Sequence, residues 1–415
     1  MRCDLLVANS SAVATLRQEA GPQRGKRFGS LGLVENGAVA IRDGRIVEVG
    51  PTPRLRAKYD ADEQVDAEGG LVTPGFVDPH THLPFAGDRS FELKLKLSGK
   101  SYLDILKAGG GIRHTVRATR KASLTELTKL TRERARIMLE WGTTTAEAKS
   151  GYGLAWPHEK KQLLAIRNAN ARDVPELVPT FLGAHVIPND AKGGRAGWMN
   201  QLTTRMIQAV SKERLAEFCD VFLDQGAYTR AEAKRILEAA RASGLSLKLH
   251  ADEFENRQGA ELAAELGVTS CEHLLQVSNA GIKALSQSAA VAVLLPGVAT
   301  LGFLESQAPA RKLVDAGAAV AIGTDFNPNC PVLTMPTVLQ WAVFELRLTP
   351  AEALVAATTN AAYALGRGDK VGLIEPGYGA NVLVHHYATV DELAYWVGPN
   401  PVRHVILGGR VGTPA

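Results

Sequence analysis

The chain has 415 residues, of which 45% are hydrophobic and 22% are charged, the ordinary composition of a globular protein. Its 47 basic and 43 acidic residues leave a formal net charge of +4, spread evenly along the sequence, so we expect neither a nucleic-acid nor a membrane partner. A chain of this length forms two or three domains, or one large barrel with an addition.

The cysteines and the apolar segments both bear on the compartment in which the protein is expected. The four cysteines lie far apart without a CxxC pair, which favours buried thiols over disulfides or a cysteine zinc site. Asp4 interrupts the apolar run at the N-terminus, and Pro296 and Gly297 interrupt the most apolar stretch, 289–304. Neither segment has the pattern of a signal peptide or of a bilayer-spanning helix. We therefore expect a cytoplasmic protein.

The two ends of the chain share one pattern, in which short β-rich runs alternate with turns. In the N-terminal part, Asp43-Gly44 between two alternating apolar runs predicts a hairpin. The same pattern returns near the C-terminus. We expect the two ends to pair into one small composite β-sandwich domain, formed by residues 1–70 plus 360–415.

Residues 71–359 alternate strand-like apolar runs with amphipathic helical runs, which is the pattern of a parallel sheet or barrel. Eight strand candidates follow one another, at 71–83, 143–153, 176–188, 219–228, 245–254, 269–278, 289–297 and 318–329. Helical patterns lie between them, for example at 123–142 and 229–244, where Thr229 is the expected N-cap. Eight such units over about 280 residues predict a (β/α)8 TIM barrel.

Histidine and aspartate residues fall where the predicted barrel strands end, at the face that carries the active site in such barrels. His80 and His82 are two residues apart, so in a strand both imidazoles project to the same side and can share one ion. The segment His250-Ala251-Asp252-Glu253 lies toward the end of the fifth predicted strand, and Asp325-Phe326-Asn327 lies toward the end of the eighth. Three imidazoles and one carboxylate at one barrel mouth predict a metal site with a position open to water.

Six segments of the predicted barrel stand out, namely PGFVDPHTHLPFAGDR, EAKSGYGL, FLGAHVIP, HADEF, CEHL and GTDFNPN. Together they resemble the imidazolonepropionases of the metal-dependent amidohydrolase superfamily. The HxH pair and the late aspartate indicate only the superfamily, whereas SGYG, LGAH and HADE together are typical of this family. The resemblance implies that the small-molecule substrate 4-imidazolone-5-propanoate is hydrolysed to N-formimidoyl-L-glutamate in histidine degradation. It further implies a homodimer, with one zinc or iron ion per subunit held by His80, His82, His250 and Asp325.

The same resemblance implies roles for further residues. The catalytic residues would be Glu253, His273 and the ligand Asp325, with His273 acting on the attacking water and Glu253 carrying a proton to the ring nitrogen. The substrate contacts that it implies are Arg89, Tyr152, His185, Glu253, Asn327 and Asn329. Arg89 suits the propionate because a guanidinium binds a carboxylate with two hydrogen bonds. At 327–330 the chain reads Asn-Pro-Asn-Cys, where many relatives have Asn-Pro-Gly-Ser or Asn-Pro-Gly-Thr.

Three other functions stay open at this point. A mononuclear deaminase of a purine, pyrimidine or triazine ring would use the same ligands, but its substrate has no carboxylate for Arg89 to bind. A binuclear hydrolase of the dihydroorotase type would need a lysine on the fourth strand, which 219–228 lacks, and Lys149 lies on the second strand. A non-catalytic scaffold would usually have lost metal ligands, and all four predicted ligands are present here.

Overall fold

The computed structural model describes residues 1–17, 20–100, 104–105 and 108–412, which form three β-sheets and a set of surrounding helices. The strands are β1 (Arg2–Ala8), β2 (Ala12–Ala14), β3 (Leu33–Glu35), β4 (Gly37–Arg42), β5 (Arg45–Pro51), β6 (Asp60–Asp66), β7 (Val72–Pro74), β8 (Phe76–Asp78), β9 (Thr143–Lys149), β10 (Glu176–Ala184), β11 (Phe218–Leu223), β12 (Ser246–Ala251), β13 (Ser270–His273), β14 (Val291–Leu294), β15 (Ala319–Ile322), β16 (Val382–His385), β17 (Val402–Leu407) and β18 (Arg410–Gly412).

Most of the helices lie between the strands of the central sheet. The α-helices are α1 (Thr52–Lys58), α2 (Phe91–Leu97), α3 (Ile112–Lys121), α4 (Leu124–Glu140), α5 (Trp156–Ala169), α6 (Gly194–Gln201), α7 (Ile207–Lys212), α8 (Arg230–Ala242), α9 (Gly259–Leu266), α10 (Asn279–Ser286), α11 (Pro296–Gly302), α12 (Ala310–Asp315), α13 (Met335–Phe344), α14 (Pro350–Ala356), α15 (Thr359–Ala364) and α16 (Val390–Tyr395). A 3-10 turn spans Gly25–Arg27 and a π-helix spans Leu202–Met206. Among the described residues, none of the helices combines the length and the apolar character that a bilayer crossing requires.

The central sheet is the predicted (β/α)8 barrel. Strands β8 to β15 pair in parallel and in chain order, with helices in the connections between them. Beyond the ends of β8 and β15, Thr81 forms a parallel bridge with Phe326, and the Asp325 amide donates to the His80 carbonyl over 3.0 Å. These contacts bring the first and last strands together. The barrel prediction is therefore confirmed.

Local capping signals place two of the barrel helices as predicted. Helix α4 begins after Ser123, whose side chain accepts the amide of Glu126. Helix α8 begins after Thr229, which forms a capping box with Glu232. Both caps satisfy backbone donors that the first helical turn leaves unpaired. The helices predicted at 123–142 and 229–244 are confirmed.

The two remaining sheets form the predicted composite sandwich. One has the strand order β5-β4-β1-β6, and the other has the order β18-β17-β16-β7-β2-β3, so the second sheet is built from both ends of the chain. The predicted hairpin joins β4 to β5, where Asp43 and Gly44 have φ angles of 51° and 70°, as a type I′ turn requires. Side chains from both sheets share one apolar core, including Val7 and Val382. The domain boundaries at 70 and 360 stay a prediction.

The prediction of a single strand at 71–83 is wrong. The segment forms two short strands, β7 in the terminal sheet and β8 in the barrel, separated by Gly75. A Cβ atom at Gly75 would lie 2.2 Å from Oγ1 of Thr144, so only glycine allows the chain to pass this close to β9. As a result, His80 and His82 lie beyond the end of the first barrel strand rather than within it.

The cysteine prediction agrees with the structure. Cys3, Cys219, Cys271 and Cys330 are all free and buried. Cys219 and Cys271 lie in barrel strands, where a small apolar thiol packs well. For Cys219, burial and the neighbouring Asp220 raise the pKa of the thiol, so the reactive thiolate is disfavoured.

Candidate active site

The structure brings the four predicted metal ligands together at the mouth of the barrel. Nε2 of His80 and Nε2 of His82 lie 3.2 and 3.4 Å from the same oxygen, Oδ1 of Asp325. The ring centroid of His250 lies 4.5 Å from that of His80 and 5.6 Å from that of His82. Two atoms bound to one tetrahedral zinc ion at about 2.0–2.1 Å are roughly 3.4 Å apart, which matches the spacing found here.

Unpaired nitrogen atoms support the fit of a metal ion. Nε2 of His80 and Nε2 of His250 are buried, and no group within the described part of the chain forms a hydrogen bond of proper geometry with them. Nδ1 of each ring, in contrast, lies beside a carboxylate, at 2.6 Å from Glu272 for His80 and 2.8 Å from Asp220 for His250. Buried polar atoms without partners are uncommon in folded proteins. Imidazole nitrogens and a carboxylate oxygen are the donors that zinc and iron accept. The residues present therefore fit a single metal ion.

Glu253 and His273 lie beside this cluster. Nδ1 of His273 is 3.7 Å from Oε2 of Glu253, and the His273 ring lies 5.1 Å from that of His250. Burial, together with the nearby carboxylates of Asp325 and Asp224, raises the pKa of Glu253 well above its usual range. Burial lowers the pKa of His273 to about 3, so its imidazole is neutral at physiological pH.

The backbone is strained at two of these positions. His273 has a φ angle of 74° and Asp325 has a φ angle of 48°, in the left-handed region that residues other than glycine rarely adopt. Such conformations persist only where the surrounding structure holds them, and they cluster at functional sites. The two residues thus mark the point at which β13 and the segment after β15 turn into the barrel mouth.

Tyr152 and His185 form one wall of the site. The His185 ring stacks on His82 at 5.3 Å and lies 5.3 Å from the ring of Tyr152. Burial lowers the pKa of His185 to about 3 and raises the pKa of Tyr152, so both side chains are neutral. The loop that carries Tyr152 is shaped by Glu159, which accepts the amides of Gly151, Gly153 and Leu154; sequence reasoning missed this residue.

Arg89 lies at the end of the loop that follows β8, with its side chain 9% exposed, but one edge of its guanidinium is already paired. Its Nε and Nη2 donate to the two carboxylate oxygens of Glu92 over 2.8 and 2.7 Å. Glu92 also accepts the amide of Gly111. The predicted propionate contact must therefore use the Nη1 side of Arg89, which is outside this pair.

Asn327 and Asn329 form the turn after Asp325. The Asn327 side chain donates to the Asp325 carbonyl and accepts the amides of Asn329 and Cys330, so its amide group holds the turn together. Oδ1 of Asn329 accepts from Nζ of Lys96 over 2.8 Å. Lys96 is thus a second cation at the barrel mouth that sequence reasoning missed, since an isolated lysine on an amphipathic helix gives no signal.

Two further aspartates hold the site loops in place and were also missed. Asp78, at the end of β8, accepts a hydrogen bond from the Thr324 hydroxyl over 2.6 Å and another from the Thr324 amide over 3.1 Å. These bonds join the first barrel strand to the segment before Asp325. Asp224 accepts the amides of Glu253, Phe254 and Glu255, which places the loop that carries Glu253. Asp78 stands in the same motif as the HxH pair. Asp224 lies within the fourth predicted strand, 219–228, and directly follows β11 in the structure. Both were therefore visible as polar residues in predicted barrel strands.

A group of fully buried charged side chains lies beneath the histidines and was not predicted as part of the site. It consists of Glu147, Lys149, Asp220, Lys248 and Glu272, and none of these side chains is exposed to solvent. Glu272 and Asp220 contact the imidazoles of His80 and His250. The only available signal was the presence of charged residues inside otherwise apolar strands.

Comparison with known proteins agrees with this architecture. The sequence model of the protein family described as "Amidohydrolase family" matches residues 71–412. A second model, "Imidazolonepropionase-like composite domain, bacteria", matches residues 37–61 in the terminal sheets. An adenosine deaminase from Xanthomonas campestris with bound zinc has the same fold, with a TM-score of 0.71 over 99% of this chain and 93% of that one; at 21% identity this likeness shows the fold alone.

The sequence comparisons are more specific. The chain is 43% identical over 414 residues to an imidazolonepropionase from Geobacillus kaustophilus, covering 98% of this chain and 97% of that protein. It is 43% identical over 415 residues to an imidazolonepropionase from Geobacillus thermodenitrificans, with the same coverage. These matches show that the chain belongs to the amidohydrolase family and, within it, to the imidazolonepropionases, and the cluster of candidate metal ligands at the barrel mouth agrees with them.

Proposed function

We propose that this chain hydrolyses 4-imidazolone-5-propanoate to N-formimidoyl-L-glutamate, a step of histidine degradation. The observation that carries the proposal is the convergence of His80, His82 and Asp325 on one point beside the buried pair of Glu253 and His273. The relatives named above support the choice of substrate. In this reaction the oxygen of water joins the ring carbonyl carbon, and the bond from that carbon to the ring nitrogen breaks.

His80, His82, His250 and Asp325 would hold one zinc or iron ion. When bound, such an ion supplies Lewis acidity for the attacking water and for the ring carbonyl. The donor set of three imidazoles and one carboxylate suits either metal. Asp78 and Asp224 keep the loops that carry these groups in place, which reduces the reorganisation that the reaction requires.

Glu253 would transfer a proton from the attacking water to the ring nitrogen, and His273 would stabilise the oxygen that gains negative charge. Glu253 lies beside the predicted metal ligands, and burial raises the pKa of its carboxyl group, which strengthens it as a base. Such a group can accept a proton from the attacking water and return it to the departing ring nitrogen. His273, which is neutral, can donate a hydrogen bond to the oxygen that gains negative charge. The second proton of the water is released from the new carboxyl group, so both protons of the water are accounted for.

The remaining predicted residues would bind the substrate. Arg89 would hold the propionate through the part of its guanidinium that Glu92 leaves free. Tyr152 and His185 would contact the ring, and the turn at Asn327 and Asn329 would contact the end that becomes the product carboxylate. A cytoplasmic location and a homodimer are further predictions that complete this proposal.

The direct test is hydrolysis of freshly prepared 4-imidazolone-5-propanoate, followed by the loss of the ultraviolet absorbance of the ring. We expect turnover by the metal-loaded protein, loss of turnover after treatment with a chelator, and recovery when zinc or iron is returned. Metal-loaded protein that leaves this substrate unchanged but releases ammonia from an aminated purine, pyrimidine or triazine ring would replace the proposal with a deaminase. A protein that binds no metal at all would favour a non-catalytic scaffold.

A further inference from the structure

The buried charged residues beneath the histidines form one connected cluster. Nζ of Lys149 lies within 3.0 Å of three carboxylates, those of Glu147, Asp220 and Glu272. Nζ of Lys248 contacts two of the same carboxylates, Glu147 and Glu272. Removing five charges from water costs a large amount of free energy, and such a cluster is retained only when its members are well paired.

The two lysines differ in which carboxylate oxygens they contact. Lys149 contacts Oδ2 of Asp220 over 2.6 Å and Oε2 of Glu272 over 3.0 Å. These are the same two atoms that face the imidazoles: Oδ2 of Asp220 lies 2.8 Å from Nδ1 of His250, and Oε2 of Glu272 lies 2.6 Å from Nδ1 of His80. A single ammonium group therefore holds both oxygens that meet the predicted metal-binding histidines.

Lys248 contacts the other carboxylate oxygen of Glu147 and of Glu272. Its Nζ lies 2.8 Å from Oε1 of Glu147 and 2.9 Å from Oε1 of Glu272, and it donates to the Pro79 carbonyl over 2.9 Å. Neither carboxylate oxygen is one of the two that meet His80 and His250. Lys248 is as fully buried as Lys149 and carries the same charge, so it is a matched control for Lys149 within the same cluster.

We propose that Lys149 is a positioning residue for the metal site, acting through Asp220 and Glu272 on His250 and His80. A carboxylate oxygen next to Nδ1 favours the proton on that nitrogen and leaves Nε2 free to bind a metal. Lys149 fixes the position of both oxygens at once, so the two imidazoles are oriented as a pair. This inference rests on the metal binding assumed in the proposed function.

The test compares Lys149→Met with Lys248→Met in the full-length protein, loaded with Co²⁺ as a spectroscopic probe. Each substitution removes one buried ammonium, so both variants should unfold at a lower temperature than the unsubstituted protein. We expect Lys149→Met to weaken Co²⁺ affinity at least tenfold more than Lys248→Met, as measured by chelator competition. We also expect the visible absorption bands of Co²⁺ to change only in Lys149→Met, because these bands report ligand geometry.

Equal losses of affinity and unchanged bands in both variants would overturn the proposal, since a purely structural cluster would respond equally to the loss of either lysine. If Lys149→Met does not fold, Asp220→Asn takes its place, because it keeps the shape of the side chain but removes the charge beside His250. We then expect weaker Co²⁺ binding and altered bands, and unchanged values would overturn the proposal.

All of these readouts are independent of turnover. Unsubstituted protein that binds Co²⁺ without hydrolysing the imidazolone therefore contradicts only the proposed function. Unsubstituted protein that binds no Co²⁺ contradicts both.

Discussion

Glu253 is the single residue whose replacement should affect the chemical step most directly. Glu253→Gln keeps the size of this buried side chain but removes its ability to accept and return a proton. We expect kcat to fall about a hundredfold or more, with little change in KM, because proton transfer contributes to the transition state rather than to substrate binding. Steady-state hydrolysis of the imidazolone measures both constants.

Glu255→Gln is the control for this substitution. Glu255 lies two residues further along the same loop, is only partly buried, and pairs with Arg257. The control should retain nearly full kcat. A Glu253→Gln enzyme with unchanged kcat would remove Glu253 from the mechanism and leave His273 as the remaining candidate for proton transfer.

Arg89 should affect binding rather than chemistry. Arg89→Ala removes the predicted contact with the propionate. We expect the loss of binding free energy from this hydrogen-bonded ion pair to raise KM roughly tenfold or more. Lys94→Ala, an exposed cation on helix α2, is the control for the change in net charge. If KM for the imidazolone is the same in both variants, the propionate is bound elsewhere, and Lys96 becomes the next cation to examine.

Part of this site could be predicted residue by residue. His80, His82, His250 and Asp325 were identifiable because each stands at the end of a predicted barrel strand. The residues that support them were harder to find. Lys149 and Asp220 lie within strands, and the local sequence does not reveal that their side chains meet inside the barrel. That meeting depends on the order of the strands around the ring.

At the scale of single elements, helix α8 depends on an ionised carboxylate at its start. Glu232 completes the capping box and accepts two hydrogen bonds from Arg195, and these contacts lower its pKa to about 2. Because the folded-state pKa lies below the ordinary value, this stabilisation is present above about pH 4.5 and is lost as the pH falls toward 2. We expect Glu232→Gln to cost about 1 kcal/mol near pH 7, after allowance for solvent screening.

Thermal unfolding at a series of pH values measures this effect. The difference in Tm between Glu232→Gln and the unsubstituted protein should shrink as the pH falls below about 4.5. Glu238→Gln, an exposed position on the same helix, removes the same charge and should leave Tm nearly unchanged at every pH. A constant difference between Glu232→Gln and the unsubstituted protein across the whole pH range would contradict the role given to the ionised carboxylate.

The elements themselves were predictable to different degrees. Helices α4 and α8 were located closely because their caps are local signals, Ser123 in one case and the Thr229–Glu232 box in the other. The division of 71–83 into two strands was not predictable from its apolar pattern. The reason for it is the contact of Gly75 with Thr144, about seventy positions away along the chain.

For the whole molecule, the barrel and the sandwich could both be predicted because each has its own repeating pattern in the sequence. The pairing order within the terminal sheets could not. Strand β1 pairs in parallel with β6 and antiparallel with β4, and β7 pairs with both β2 and β16. The β-rich pattern of each run identifies a strand, but it carries no information about which neighbour that strand selects.

The pairing of β7 with β16 has a consequence for the order in which the protein is made. Thr73 on β7 hydrogen-bonds to His385 on β16, and these residues are 312 positions apart. During synthesis, β2 and β7 leave the ribosome early, and β7 presents an open strand edge. Its second partner, β16, is translated near the end of the chain, together with β17 and β18, which extend the same sheet. Contacts between such distant segments form slowly, and an open edge can pair with other chains. The edge of β7 that pairs with β16 therefore stays without its partner until nearly the whole chain has been synthesised.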